Sequence, residues 1–474
     1  MLELLKILQE LLNLVFFLFG IFVVFAYLAL AVISAFALIH YMRKNSFVDY
    51  NKILSSPFAP SVSVIAPAFN EGKTIIDNVH ALLHLYYQDY DILIVNDGSK
   101  DDTLSKLIES FSLKKVTYAV DFRLEHKEII GIYKSTNQSF GMLTVIDKRN
   151  GGKADALNAG INVSRKDVFV VIDVDSILEQ DALLRLAKPF LEQREKTVLT
   201  SGSVIRIANS CEIESGKIIN VNYPKEYLAK FQVLEYNRSF LMGRMAWAKL
   251  NGLLLISGAM GMFNRDVIID CGGYSTKTVG EDMELIVRVR RHMEEINQKY
   301  DVVYIPDPLC WTEVPTSLKI LGNQRNRWTR GNMGTLFMHR KIFFNPQYGT
   351  MGMLGYPYWF IFEWLAPLME FFGLIYFIFL AVVGASNWPF FLMLLTFVYS
   401  FAIVFSTWSI LFEELTFDRY KKKTDLIKLF FTALIEPFLY HPLTVFWSLM
   451  GNYDYFRGKK TWGKMERHGF THSA

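Results

Sequence analysis

From Leu11 to Ile39 the chain reads "LLNLVFFLFGIFVVFAYLALAVISAFALI", with no charged residue. A bilayer core of about 30 Å needs roughly 20 apolar residues in a helix, so this run is long enough to span, and its excess length can be taken up by tilt. A signal peptide is the competing reading. Its apolar core would be about 7–15 residues with a small-residue cleavage site behind it, whereas here "YMRKN" follows. Arg43 and Lys44 place that end of the helix in the cytoplasm. Residues 1–45 are therefore expected to form an N-terminal transmembrane helix.

The pattern then changes. Between residues 57 and 316, short apolar runs alternate with amphipathic stretches: "SVSVIAPAF", "DILIVND", "LTVID" and "VFVVID". This strand–helix rhythm predicts a mostly parallel α/β sheet. Residues 317–352, with "LKILGNQRNRWTRGNMGTLFMHRKIFF", read as amphipathic helices at the membrane interface. Apolar spans return over 353–452, at roughly 354–383, 389–412 and 427–450. They carry Glu363, Pro367, Glu370, Glu436, Pro437, His441 and Pro442. Ionisable residues at membrane depth usually face a bundle interior or a wet cavity; the alternative is that they sit near interfaces or satisfy one another. Three full spans would leave the basic tail, 453–474, on the outer side. A broken hairpin over 427–450 would return it to the cytosol.

Composition agrees with a soluble domain joined to membrane segments, since 51% of residues are hydrophobic yet 20% are charged. A net charge of +4 is too small to argue for nucleic acid. Cys211, Cys271 and Cys310 lie far apart, without zinc spacing, and suit a reducing cytosol.

The candidate chemistry lies at the strand ends, where open α/β sheets bind ligands. "ILIVNDGSKDD" delivers Asp97 there, to accept hydrogen bonds from a base or sugar; an ordinary Asn-Asp-Gly turn with a helix cap is the plainer reading. "VVIDVDSI" places Asp173 and Asp175 on one face if the strand continues. Two adjacent carboxylates repel, and Mg2+ or Mn2+ bridging to phosphates resolves that repulsion; a helix cap is the alternative. In "KRNGGKADALNAG", Lys148, Arg149 and Lys153 add positive charge, without the spacing of a P-loop. In "TVGEDMELIVRVRR", Glu281 and Asp282 open a helix. Either could cap it, or Asp282 could act as a general base. In "LGNQRNRWTRG", Gln324, Arg327 and Trp328 share a helix face, where Arg327 can grip a phosphate and Trp328 can support a sugar ring.

The ordered set "PAFNE", "NDGS", "GGKADALNAG", "DVD", "GED" and "QRNRW", between flanking membrane helices, resembles the processive family 2 glycosyltransferases. That group includes the cellulose, chitin, hyaluronan and poly-N-acetylglucosamine synthases. "GGKADALN" looks most like the poly-N-acetylglucosamine branch. The resemblance implies a cytosolic GT-A domain, Rossmann-like and mostly parallel, inserted between transmembrane helices of a multi-pass protein of the cytoplasmic membrane. It implies inverting transfer from a UDP-sugar, with UDP-N-acetylglucosamine favoured, to a growing β-linked polysaccharide extruded across the bilayer. By position, Ala66, Glu71, Asp97, Lys153, Asp155, Asp173 and Arg327 match donor contacts. Asp173 and Asp175 match a Mg2+ or Mn2+ site, Asp282 with Glu281 the catalytic acids, and Gln324 with Trp328 the acceptor site. "GED" stands where the family has "TED", and so lacks a hydroxyl. "TWGKMERHGF" is similar to a gating segment, placing Trp462 and Lys464 over the donor. Expected partners are the UDP-sugar, the polysaccharide, the lipid bilayer and a small accessory membrane subunit, with no nucleic acid. The rival readings are a synthase using UDP-glucose or making a hyaluronan-like polymer, a single-sugar transferase acting on a lipid, and a non-enzymatic channel or sugar-binding membrane protein.

Overall fold

The computed structural model describes residues 2–459 except 215, 418, 419 and 421. Trp462 and Lys464, the expected gating residues, lie outside the described residues. Twelve strands occur among those described: β1 Val62–Ala68, β2 Tyr90–Asp97, β3 Leu113–Val116, β4 Ile129–Ser135, β5 Leu143–Lys148, β6 Val168–Ile172, β7 Ile177–Leu178, β8 Thr197–Ile207, β9 Glu212–Glu214, β10 Lys217–Asn220, β11 Met260–Asn264 and β12 Tyr300–Thr312. Ten of them form one sheet in the order β3-β4-β5-β2-β1-β6-β11-β8-β12-β7, while β9 and β10 pair separately.

The four apolar runs seen in the sequence are β1, β2, β5 and β6, which form a continuous parallel block. They are covered on both faces: Val64, Ile92, Ile94, Val145 and Val170 are fully buried. Strands buried on both faces read as continuous apolar runs, which is why these four were legible. β8 and β12 are also parallel, whereas β3–β4, β4–β5, β6–β11, β8–β11 and β7–β12 are antiparallel. The sheet is thus largely parallel but mixed. The carboxyl ends of β1, β2, β5 and β6 all point to one edge, and the residues that follow them meet there.

Among the described residues, three helices are long and apolar enough to cross a membrane: Lys6–Asn45, Met351–Val382 and Trp388–Phe417. Phe25, Phe36, Phe379 and Val382 lie open on their outer surfaces, as expected of lipid-facing positions. The first helix ends on the α/β domain, where Lys188 Nζ donates to Asn45 Oδ1 (2.5 Å) and Lys44 pairs with Glu192 (2.9 Å). Near the end of the helix Trp388–Phe417, Glu413 forms a buried ion pair with Arg206 of β8.

The last apolar stretch differs from the hairpin expected. Helices Lys423–Leu439 and His441–Phe456 meet at a bend of 46° and do not fold back on each other. This bent pair touches the α/β side at both ends. Tyr223 bonds Thr432 (2.7 Å), and Asn326 donates to Asp454 (2.9 Å). Arg330 also donates to the Lys459 carbonyl (2.7 Å). The segment after this bent pair thus lies against the helix Leu318–Met338.

Candidate active site

Loops at the carboxyl edge of the sheet, the start of helix Glu281–Glu295 and the helix Leu318–Met338 enclose one cavity of about 1940 Å³. Of the site residues expected from the sequence, Glu71, Asp97, Lys153, Asp173, Asp175, Glu281, Asp282, Gln324, Arg327 and Trp328 line it. Two do not. Ala66 is fully buried within β1, paired in register with Ile94. Asp155 is buried in the first turn of helix Lys153–Val163.

Asp155 belongs to an internal ionic cluster. The Lys148 ammonium, wholly buried, lies 2.5 Å from both Asp97 and Asp155. Both Asp155 oxygens also accept from the Lys127 N–H. Asp97 accepts in addition from the backbone N–H groups of Gly151 (2.9 Å) and Gly152 (2.7 Å) and from Asn150 Nδ2 (3.1 Å). Four donors fill the roughly four acceptor positions of a carboxylate. Asp97 thus anchors the Gly-Gly loop at the wall of the cavity. Gly152 caps the following helix at φ +91°, a conformation that favours glycine. Lys148 is an internal counter-charge and not a surface phosphate contact, and Arg149 is spent on Glu128 (2.8 Å) at the surface.

Asp173 follows β6 directly, and Asp175 lies in the turn beyond it, not on an extended strand. The turn still brings both acids to the cavity. Lys153 Nζ donates to Asp173 Oδ1 and to the Gly258 carbonyl. Burial alone would lower the Lys153 ammonium, but Asp173, Glu281 and Asp282 together outweigh it and hold its pKa above the usual lysine value. Mg2+ and similar hard ions are commonly held by one or two carboxylates, with substrate phosphates and waters completing the shell. Asp173 and Asp175 fit that donor set, and Asp173 already faces a cation in Lys153. No group of three His, Cys, Asp or Glu able to enclose a metal occurs among the described residues.

Glu281 and Asp282 open their helix behind Gly280. Asp282 Oδ1 accepts from the Met283 N–H (2.9 Å). A β-carbon on Gly258 would meet Asp282 Oδ2 at 3.0 Å and Lys153 Nζ at 3.5 Å, so the acid and the base stand on either side of this glycine. Burial, with the neighbouring Asp282 charge, pushes Glu281 up to about 7. A carboxyl raised above its unfolded value holds its proton more tightly when folded. Its stabilising effect is full below the unfolded value of about 4.3 and is lost as pH rises through about 7. The melting temperature should therefore fall between those pH values, and Glu281→Gln should flatten that part of the profile. An unchanged slope in the variant would show that Glu281 does not titrate there.

The glycine of "GED" has a packing reason. A β-carbon on Gly280 would lie 2.7 Å from Gly331 Cα, on the helix that carries Arg327 and Trp328. Such a contact forces the backbone apart. Gly280→Thr should therefore shift the two catalytic segments relative to each other and lower kcat/KM by about 100-fold, the scale of an ångström misplacement. Full activity in steady-state assays would refute this close approach.

The helix Leu318–Met338 also shows what the sequence concealed. Arg325 lines the same cavity as this trio and forks onto Glu235 (2.7 and 2.9 Å). The Tyr440 hydroxyl donates to the same carboxylate (2.8 Å). The Arg325 guanidinium lies 4.1 Å from the Trp328 ring centroid, and Trp328 keeps 39% of its surface exposed. This clasp fixes one face of the indole and leaves the rest available. Arg325 sits inside the quoted motif, but nothing near it in sequence points to Glu235.

The cavity continues beyond Trp328 between the membrane helices. Tyr27, Arg238, Glu363, Glu370, Glu436 and His441 line that part. Arg238 forks onto Glu436 (both 2.9 Å), and His441 Nε2 lies 2.7 Å from Glu370. Glu436 and Glu370 thus both face the cavity and find partners.

Residues 59–331 match the model of the glycosyltransferase like family 2. The poly-beta-1,6-N-acetyl-D-glucosamine synthase of Staphylococcus epidermidis is 26% identical over 270 residues, 57% of this chain and 54% of that protein. The probable glycosyltransferase YdaM of Bacillus subtilis is 28% identical over 290 residues, 60% and 58% of the two chains. The matches thus span little more than half the length of these relatives. Among solved structures, the mannosyltransferase PcManGT from Pyrobaculum calidifontis, in complex with GDP-Man and Mn2+, superposes with a TM-score of 0.53 at 16% identity. That superposition covers 91% of this chain and 98% of that one, and it shows a shared GT-A-like fold. With the family match covering more than half the chain, this protein belongs to glycosyltransferase family 2 and is a transferase enzyme whose catalytic sheet is flanked by apolar helices long enough to span a membrane.

Proposed function

We propose that the protein is an inverting, processive glycosyltransferase that builds a β-linked polysaccharide from a UDP-sugar and passes it across the cytoplasmic membrane. UDP-N-acetylglucosamine is the favoured donor, supported by the poly-N-acetylglucosamine synthases among its relatives and by "GGKADALN". Residues 57–316 would form the cytosolic domain, a sidedness supported by Arg43 and Lys44 at the end of the first span.

The observation that carries this reading is the continuity of the cavity. It runs from the acids at the sheet edge, past Trp328, to the charged and aromatic residues between the membrane helices. In the proposed chemistry, Asp282 takes the proton of the acceptor hydroxyl as that oxygen bonds to the anomeric carbon. The bond from that carbon to the diphosphate breaks and UDP leaves, so the configuration inverts. A divalent ion on Asp173 and Asp175, as Mn2+ accompanies GDP-Man in PcManGT, would neutralise charge on the departing diphosphate. Arg327 and Lys153 supply fixed positive charge on the same side. Trp328, steadied by Arg325, supports the acceptor sugar at the entrance to the membrane part.

The test is product length. Purified protein in lipid nanodiscs, given UDP-N-acetylglucosamine and Mn2+, should release UDP and accumulate a polymer cut by a β-specific N-acetylglucosaminidase. UDP release with only a singly glycosylated lipid would overturn processivity and favour transfer to a membrane lipid.

A further inference from the structure

A second cavity, of about 730 Å³, lies apart from the catalytic one. Lys225 and Lys230 enter it from the α/β domain, and Lys422 and Lys428 from the segment that follows the span Trp388–Phe417. Tyr223 stands between the two groups. Lys230 Nζ lies 5.2 Å and Lys428 Nζ 5.5 Å from its ring centroid, and its hydroxyl bonds Thr432. Two acids share the lining. Asp425 is held by Lys428 (2.8 Å), and Glu212 is engaged by Asn220 (2.5 Å). Lys225, Lys230 and Lys422 form no ion pair among the described residues. Like charges gathered from two distant parts of a chain repel unless an anion joins them.

The depth of the cavity indicates which anion. Helix Lys423–Leu439 begins at this cavity and turns apolar after Lys428, with Ile427, Phe430 and Phe431 open to the outside. Tyr227, beside Lys230 (4.3 Å), is 77% exposed. The lysines therefore lie where an apolar band gives way to polar surface, the level of phospholipid phosphates. We propose that this cavity binds the phosphate of an anionic phospholipid headgroup, gripped jointly by Lys225 and Lys230 of the catalytic domain and Lys422 and Lys428 of the membrane region. A lipid so held ties the α/β domain to the bilayer surface at a point remote from the active site.

The test compares the full chain in phosphatidylcholine nanodiscs and in discs that also contain phosphatidylglycerol. Native mass spectrometry should detect retained phosphatidylglycerol in preference to phosphatidylcholine. The double variant Lys230→Gln with Lys422→Gln should retain about tenfold less of it, with UDP release in pure phosphatidylcholine unchanged. Lys230→Arg with Lys422→Arg keeps the charge and should retain the lipid. Equal retention by the wild type and the glutamine variant overturns the proposal, as does a wild type with no preference for phosphatidylglycerol. Calorimetric binding of inorganic phosphate in phosphatidylcholine discs, lost in the glutamine variant and without retained phosphatidylglycerol, would assign the site to a soluble phosphate and overturn the lipid source.

Discussion

Asp282→Asn is expected to lower kcat by about 10²–10⁴-fold, the range of a lost general base, while UDP affinity stays close to that of the wild type. The geometry separates the two effects. Asp282 reaches the cavity from the first turn of helix Glu281–Glu295, and one of its oxygens is steadied by the Met283 N–H. An asparagine can keep that contact through its amide oxygen, so the fold and the nucleotide site should persist. What it cannot do is accept a proton from the acceptor hydroxyl. Stopped assays of sugar transfer, set against calorimetric titration with UDP, would measure both. Polymer made at the wild-type rate by the variant would remove Asp282 from the mechanism.

The second large effect is expected at Asp175. Asp175→Asn should weaken Mn2+-dependent nucleotide binding by more than the about 10–100-fold that losing an outer-sphere metal partner costs, and transfer should fall in parallel. Asp173 alone would then face both Lys153 and the ion. Because Lys153 already bonds Asp173 Oδ1 and the Gly258 carbonyl, an incoming cation would share the Asp173 carboxylate with an ammonium. Mn2+ binding followed by electron paramagnetic resonance, with and without UDP, reads this directly and does not depend on turnover. If Asp175→Asn binds Mn2+ and UDP as the wild type does, the two acids do not form the metal site.

Several features were plain in the sequence for local reasons. Continuous apolar runs marked β1, β2, β5 and β6 because those strands are buried on both sides. The acids and glycines at their ends marked the functional edge of the sheet. Helical spacing placed Gln324, Arg327 and Trp328 together, and all three line one cavity. Other features needed knowledge of partners that the local sequence does not supply. Asp155 and Lys148 stand within a few residues of Lys153, yet only Lys153 reaches the cavity. The other two turn inward to meet Asp97, about fifty residues earlier in the chain. Ala66 lies next to residues that line the cavity, but the pleat of β1 turns its side chain into the core. Two prolines and a carboxylate in the last apolar stretch suggested a broken hairpin, and the stretch is indeed broken, into two helices that meet at a bend of 46°.

The chain's own order of apolar and polar residues determined the position of the long apolar helices, the parallel block of the sheet and the row of acids along its edge. These depend on hydrophobic period and strand ends, which involve neighbours only a few residues away. Tertiary structure alone decided that Arg325 clasps Glu235 and Tyr440 beneath Trp328, that Gly280 must yield to Gly331, and that the catalytic cavity opens into the membrane bundle. Those contacts join residues from about fifty to more than a hundred positions apart. Their existence follows from how whole layers pack, and no local pattern encodes that.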